Sequence, residues 1–147
     1  MSRTPVEIGT LIVVILKARN LPNKKRIGKQ DPYCTIRVNN ETQRTKAINR
    51  GGQHPDWDEE FRFTLFGDII TSSGHEPQSH SIGMFNILGG TTMHLACFAD
   101  SFREPDLIGD ALVDFTVALA KGEWFQLSYK GQYVGEVYLE FTFWSNV

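Results

Sequence analysis

Between positions 23 and 33 the chain reads Asn-Lys-Lys-Arg-Ile-Gly-Lys-Gln-Asp-Pro-Tyr, so four cations, Lys24, Lys25, Arg26 and Lys29, surround one apolar residue, Ile27. A group of this kind does electrostatic work rather than bond-making. It meets an anionic surface, and the lone apolar side chain can enter that surface shallowly. Each Lys or Arg near an anionic leaflet contributes about 1 kcal/mol, so four give a modest attraction. Arg37, Arg44, Lys46 and Arg50 carry the basic character into the following segments. Residues 1–50 hold 11 Lys or Arg against 3 Asp or Glu, whereas residues 51–147 hold 4 against 14, an asymmetry that the net charge of −2 conceals.

Other reactive side chains are present without a pattern that uses them. There is no Gly-x-Ser-x-Gly elbow, no phosphate-binding glycine loop and no Cys/His signature, and the chain is expected not to be an enzyme. His54, His75, His80 and His94 match no zinc spacing and are expected on loops or surfaces. The acidic run Asp56-Trp57-Asp58-Glu59-Glu60 alternates, which points Asp58 and Glu60 to solvent. Aromatic residues sit away from the basic run, so no stacking platform for nucleic acid is expected. Cys34 and Cys97 lie in apolar runs, as buried thiols of a cytosolic chain do; they pair only if the fold brings them together.

These residues must be held by strands. Thr10–Ala18 is a continuous apolar run of the kind a central strand shows. Tyr33–Val38 and Gln43–Ile48 follow, joined by Asn39-Asn40. Glu60–Leu65, Thr92–Phe98, Leu107–Phe115, Trp124–Tyr129 and Gly135–Trp144 complete a set of eight short strands with turn residues between them. Pro32 can open a strand but not sit inside a central one, which makes the basic run a loop tip with Asp31 at its base. Residues 115–121 offer an alternative helical turn. Trp57, Trp124, Phe61 and Phe63 are expected in the core, with Tyr138 and Trp144 on the opposite face from Val137, Leu139, Phe141 and Phe143. Ile12, Val14 and Leu16 likewise oppose Leu11, Val13 and Ile15, and a bare second face would bind protein. Residues 67–90 form a long polar insertion with two greasy stretches, read as a surface excursion whose Ile70, Phe85 and Leu88 tuck against the sandwich, or else as a partner-binding lid. The expected architecture is all-β, an eight-stranded antiparallel β-sandwich in one domain spanning residues 1–147. No apolar run approaches the ~20 residues of a membrane-spanning helix, and the opening Met-Ser-Arg-Thr-Pro lacks the apolar stretch of a secretory signal.

An ordered set of motifs resembles the C2 domain. It comprises Ala18-Arg19-Asn20-Leu21-Pro22 after the first strand, Asp31-Pro32-Tyr33, Arg44-Thr45-Lys46, the run from Gln53-His54-Pro55 to Phe63, Asp106-Leu107-Ile108-Gly109, Trp124-Phe125-Gln126-Leu127 and Gly135-Glu136-Val137-Tyr138-Leu139. The order of strands is similar to the type II permutation of that family. Gln-Asp-Pro-Tyr-Cys and Gly-Gly-Gln-His-Pro look most like the N-terminal C2 domain of fungal ingression-type proteins of cytokinesis. The resemblance implies a peripheral module on anionic phospholipid at the plasma membrane. It also implies protein partners in the contractile ring or septum machinery at the division site, with no cofactor.

Calcium-binding C2 domains use about five carboxylates on two loops. Carried over residue by residue, the pattern finds Lys25 where the first acid belongs and keeps Asp31. In the third loop one register places acids at Phe98, Asp100 and Asp106, the other at Ala99, Ser101 and Asp106. Three residual candidates, Asp31, Asp100 and Asp106, are too few for a tight site, because calcium takes 6–8 oxygen ligands. Lys25 is a candidate internal cation that replaces the metal among these acids. The expected function is therefore a calcium-independent, non-enzymatic lipid-targeting or adaptor module using Lys24, Lys25, Arg26, Ile27, Lys29, Arg37, Arg44 and Lys46. The alternatives are a protein-interaction module without lipid binding and a calcium-dependent phospholipid binder with a reduced site.

Overall fold

Alternating burial drives the strands. The computed structural model describes residues 5–69, 81–83 and 85–146. Its elements are β1 (Val6–Arg19), β2 (Asp31–Val38), β3 (Glu41–Arg44), β4 (Asp56–Ile69), β5 (Ser81–Ile82), β6 (Phe85–Ile87), β7 (Thr92–Asp100), β8 (Asp106–Asp114), β9 (Gly122–Tyr129) and β10 (Gln132–Ser145). Along β1, Leu11, Val13 and Ile15 are fully buried, while the residues between them are half-covered on the outer face. The same period of two buries Phe61, Phe63 and Leu65 of β4 and Val137, Leu139 and Phe141 of β10. From the other layer come Cys34, Ile36 and Val38 of β2, Met93, Leu95 and Cys97 of β7, and Ile108 and Val113 of β8, all in one core cluster.

The strands pair in the order β3-β2-β7-β8-β9-β10-β1-β4-β6-β5. Every strand-to-strand pairing is antiparallel. Between β8 and β9 the ladder is reduced to Asp110 opposite Ser128, so the order divides there into two layers that close over the core. The eight expected strands are present. Two short ones join them because Phe85-Asn86-Ile87 pairs with the end of β4 at Gly67–Ile69, and Ser81–Ile82 folds back on it.

Several local expectations change. Gln43–Ile48 is a strand only as far as Arg44. Beyond it the Thr45 N–H still reaches the Cys34 carbonyl and the Ile48 N–H the Pro32 carbonyl, but the regular ladder has ended. Residues 115–121 form turns and a single bridge from Leu119 to Phe141, not a helix. In the insertion, Phe85 packs against the core and meets Phe143 edge-on at 6.3 Å, whereas Leu88 is exposed, held out by the turn that Asn39 Nδ2 ties at its carbonyl. Ile70 lies outside the described residues, as do His75 and His80. Trp124 is half-exposed rather than core: its partner across the ladder is Tyr138 on the outer face, and Arg19 lies 3.9 Å from its ring centre.

Both edges of the sheet are short, four residues at β3 and two at β5. The open flank of β4 is met by β3 through a side chain: Gln43 Nε2 donates to the Arg62 carbonyl at 2.8 Å. Phe63 is among the largest fully buried side chains. Phe63→Ala is expected to lower unfolding stability by about 3–5 kcal/mol, seen as a shift of the urea midpoint with little change in slope.

Candidate functional site

Loop 1 (residues 20–30) is a built hook rather than a slack connection. Gln30, 1% exposed, holds it from below: its Nε2 donates to the Pro22 carbonyl at 2.9 Å and to the Gly52 carbonyl at 3.1 Å, and its Oε1 accepts the Lys24 N–H at 2.8 Å. Asn23 closes the tip, accepting the Lys25 N–H through Oδ1 and donating through Nδ2 to the Gly28 carbonyl. Gly28, at φ 81°, makes the turn that a side chain would resist. Held by these bonds, the loop leaves Lys24, Lys25, Arg26, Ile27 and Lys29 exposed, Ile27 to 86%.

Loop 2 (residues 45–55) buttresses this hook. The Arg50 N–H donates to Asp31 Oδ1 at 2.7 Å, the Gly52 N–H to the Gln30 carbonyl, and the Leu21 N–H to the Gln53 carbonyl. Trp57, 7% exposed, donates Nε1–H to the Pro32 carbonyl at 3.1 Å. His54 sits in a turn, as expected, and accepts the Asn20 N–H through Nδ1.

Loop 3 (residues 101–105) stands beside loop 1 because β7 pairs with β2 in a register that sets Asp100 opposite Asp31. Phe98 stacks on Tyr33 at 5.3 Å and 17°. Lys24, Lys25, Gln30, Asp31, Asp100, Ser101, Phe102 and Asp106 share the lining of one cleft of about 500 Å³. The cleft takes in Asp100 from one of the two registers open in the sequence and Ala99 and Ser101 from the other. At its rim Phe102 is fully exposed. The β9–β10 turn closes the same end of the molecule. Lys130 and Gly131 both take the left-handed conformation of a two-residue hairpin, and the ammonium groups of Lys24 and Lys130 lie 5.1 Å and 5.3 Å from the Tyr129 ring centre.

The three residual acids, Asp31, Asp100 and Asp106, line this cleft together. Asp31 Oδ1 is engaged by the Arg50 N–H and Asp100 Oδ1 by the Ser101 N–H. Among the described residues, no group of three or more His, Cys, Asp or Glu side chains gathers closely enough to hold a metal ion. Lys25 lines the cleft with the acids yet forms an ion pair with none of them; the Lys or Arg ion pairs among the described residues are Arg19–Glu136 and Arg62–Glu60.

A second basic feature lies on the outer face of β2 and β3. Arg37 pairs with Thr42 and Thr35 with Arg44, so Arg37 and Arg44 share that face. The Arg44 guanidinium lies 3.7 Å from the Tyr33 ring centre, covering a phenol that Phe98 covers from the side. Burial raises the Tyr33 pKa, against the opposing pull of Arg44, so the ring stays neutral. Lys46 is exposed just past the end of β3, its N–H bonded to Glu59 Oε2. His94 stands opposite Arg37 and within 2.9 Å of Asp110 Oδ2.

A family model described as C2 domain matches residues 9–127. The chain belongs to the C2 family. C2 domains generally bind phospholipid membranes, and this one is a module of that membrane-binding type. It is 36% identical over 147 residues to the ingression protein fic1 of Schizosaccharomyces pombe, covering 97% of this chain and 46% of that protein. The chain thus spans about half the length of that relative. Elicitor-responsive protein 3 of Oryza sativa is 22% identical over 139 residues, covering 92% of this chain and 83% of that protein. Among solved structures, a C2 domain of plant Extended Synaptotagmin 1 superposes with a TM-score of 0.70 at 17% identity, covering 99% of each chain. No helix among the described residues is long and apolar enough to cross a membrane.

Three contributors to this C2 apex escaped the sequence reading. Phe102 sits in a charged stretch with no periodicity to mark it, Lys130 looks like any turn residue, and Gln30 is a polar residue that only burial distinguishes. Gln30→Ala removes three hydrogen bonds from a buried position and leaves their backbone partners exposed to competition. It is expected to cost about 1–3 kcal/mol in urea unfolding and to speed hydrogen exchange in residues 23–30.

Proposed function

We propose that this C2 domain docks peripherally on anionic phospholipid surfaces through its apex and does so without calcium. The observation that carries the reading is a pair of bare apolar side chains on the two loops that flank one cleft, Ile27 of loop 1 and Phe102 of loop 3, with Lys24 and Lys25 lining the cleft and Arg26, Lys29 and Arg103 exposed on the same loops. Cations draw the apex to the headgroups at about 1 kcal/mol each, and full burial of a side chain such as Ile or Phe adds about 1.5–3 kcal/mol. Arg37, Arg44 and Lys46 offer a second anchoring surface for headgroup phosphate along the sheet. Calcium independence is supported by the two engaged carboxylates and by the two lysines that line the cleft with them. The likeness to an ingression protein supports a place at the plasma membrane of the division site, as an adaptor towards the contractile ring or septum machinery.

A second reading has one observation of its own. On the outer face of β1, Ile12, Val14 and Leu16 are only half-covered, and Trp144 beside Thr10 is 66% exposed. That face would serve a protein-interaction module in which lipid is irrelevant.

Co-sedimentation with neutral and phosphatidylserine- or phosphoinositide-containing vesicles separates the readings. Binding to the anionic vesicles in chelator is expected. It should weaken as salt rises, vanish when Lys24, Lys25, Arg26 and Lys29 become Glu, and fall about tenfold in Phe102→Ala, the loss of roughly 1.4 kcal/mol of partial insertion. Binding that requires calcium returns the reduced Asp31, Asp100 and Asp106 site. Absence of binding in every condition favours the protein-interaction face.

A further inference from the structure

The apex is tied to a covalent chemistry that lipid docking does not use. Cys34 of β2 and Cys97 of β7 are both fully buried, free thiols, and they are direct partners across the β2–β7 ladder. Their type of pairing follows from the backbone. The Cys34 N–H donates to Thr45 Oγ1 at 2.9 Å and the Cys34 carbonyl accepts the Thr45 N–H at 2.9 Å, both on the β3 side. In an antiparallel ladder a residue's N–H and C=O point the same way, so Cys34 and Cys97 form a non-hydrogen-bonded pair, the class in which Cα atoms lie about 4.5 Å apart and side chains come closest. That spacing falls within the range that a disulfide spans, about 4.4–6.8 Å. Both side chains face the same core across that ladder position.

We propose that Cys34 and Cys97 are a convertible pair that closes into a cross-strand disulfide, clamping β2 to β7 beneath the lipid-facing loops. Asp31 and Asp100, three residues along each strand, are the paired bases of loops 1 and 3. A bond between the cysteines therefore restrains the two walls of the apical cleft. The oxidant is a low-molecular-weight disulfide such as oxidised glutathione. One cysteine, as thiolate, attacks a glutathione sulfur and releases one glutathione thiolate. The second cysteine, as thiolate, then attacks the protein sulfur of that mixed disulfide and releases the other. Two cysteine thiols are oxidised, one glutathione disulfide is reduced, and the two protons pass to the departing glutathiones. Burial holds the Cys34 thiol well above its ordinary pKa, so little thiolate forms in the closed fold and exchange waits for β2 and β7 to part. The pair is slow to close and, once closed, slow to reopen.

The test incubates the whole domain in oxidised glutathione, with and without sub-denaturing urea, quenches it by alkylation and maps the peptides by mass. The expected product is an intramolecular Cys34–Cys97 link with no bound glutathione. It should form at least tenfold faster in mild urea, be reversible by dithiothreitol, and give slower hydrogen exchange in residues 31–38 and 93–100. Cys34→Ala and Cys97→Ala, each made separately, should yield only the glutathione adduct of the remaining cysteine. Stable glutathione adducts on the unsubstituted protein, or no link at urea concentrations where both cysteines become alkylatable, overturn the proposal. So does a link that leaves exchange in both segments unchanged. Because the readouts are covalent mass and exchange, they stand whether or not vesicles bind.

Discussion

A slip of one residue between two strands would turn every side chain to the opposite face, and the arrangement at the apex depends on β2 and β7 not slipping. Their register is held from both sides of the layer. Inward, Ile36 with Leu95 and Val38 with Met93 are packed in the core. Outward, Tyr33 stacks on Phe98 and Arg44 lies over the Tyr33 ring. With that register fixed, Asp31 and Asp100 must stand opposite each other, and loops 1 and 3, which carry the exposed Ile27 and Phe102, must leave the sheet side by side. Loop 2 adds no exposed apolar group, but its backbone N–H at Arg50 takes up the first carboxylate and its Gly52 carbonyl receives Gln30.

Electrostatics at this end is a matter of which charges have partners. Asp31 and Asp100 accept backbone N–H groups, while the cations of loop 1 are exposed and no described carboxylate pairs with them. With Asp31 and Asp100 taken up by backbone N–H groups, the exposed cations Lys24, Lys25, Arg26, Lys29 and Arg103 outnumber the exposed acids Glu104 and Asp106 on loops 1 and 3, which favours positive potential there. The strong positive bias of the first 50 residues becomes spatial for the same reason. Loop 1, β2 and β3 adjoin one another, although β1 from the same half lies in the other layer beside β10 and β4.

The strands were legible because burial writes itself into a period of two. Phe61, Phe63 and Leu65, or Val137, Leu139 and Phe141, leave little choice of conformation. The cationic tip of loop 1 was legible from composition and from Pro32 as a strand opener. What could not be read depends on partners distant in sequence. Trp124 counts as a core residue until Arg19 and Tyr138 are known to flank it outside. Leu88 looks greasy enough to bury, but it belongs to a turn whose carbonyl is claimed by Asn39. Phe102 resembles a stray core residue, and its full exposure becomes intelligible only beside Ile27. The eight-strand count fell short by two because β5 and β6, at two and three residues, are too brief to show a period.

A protein held on a membrane is concentrated into a thin layer, where weak self-contacts that are negligible in solution become frequent. Open strand edges are the usual place for such contacts, since each unpaired backbone group invites another copy. Here one edge ends after four residues and carries Glu41 and Arg44, the other ends after two, and Gln43 occupies the backbone carbonyl of Arg62 on the open flank of β4. The two ends of the strand order are thus poor templates for a second copy, and contacts between crowded copies would have to form elsewhere on the domain.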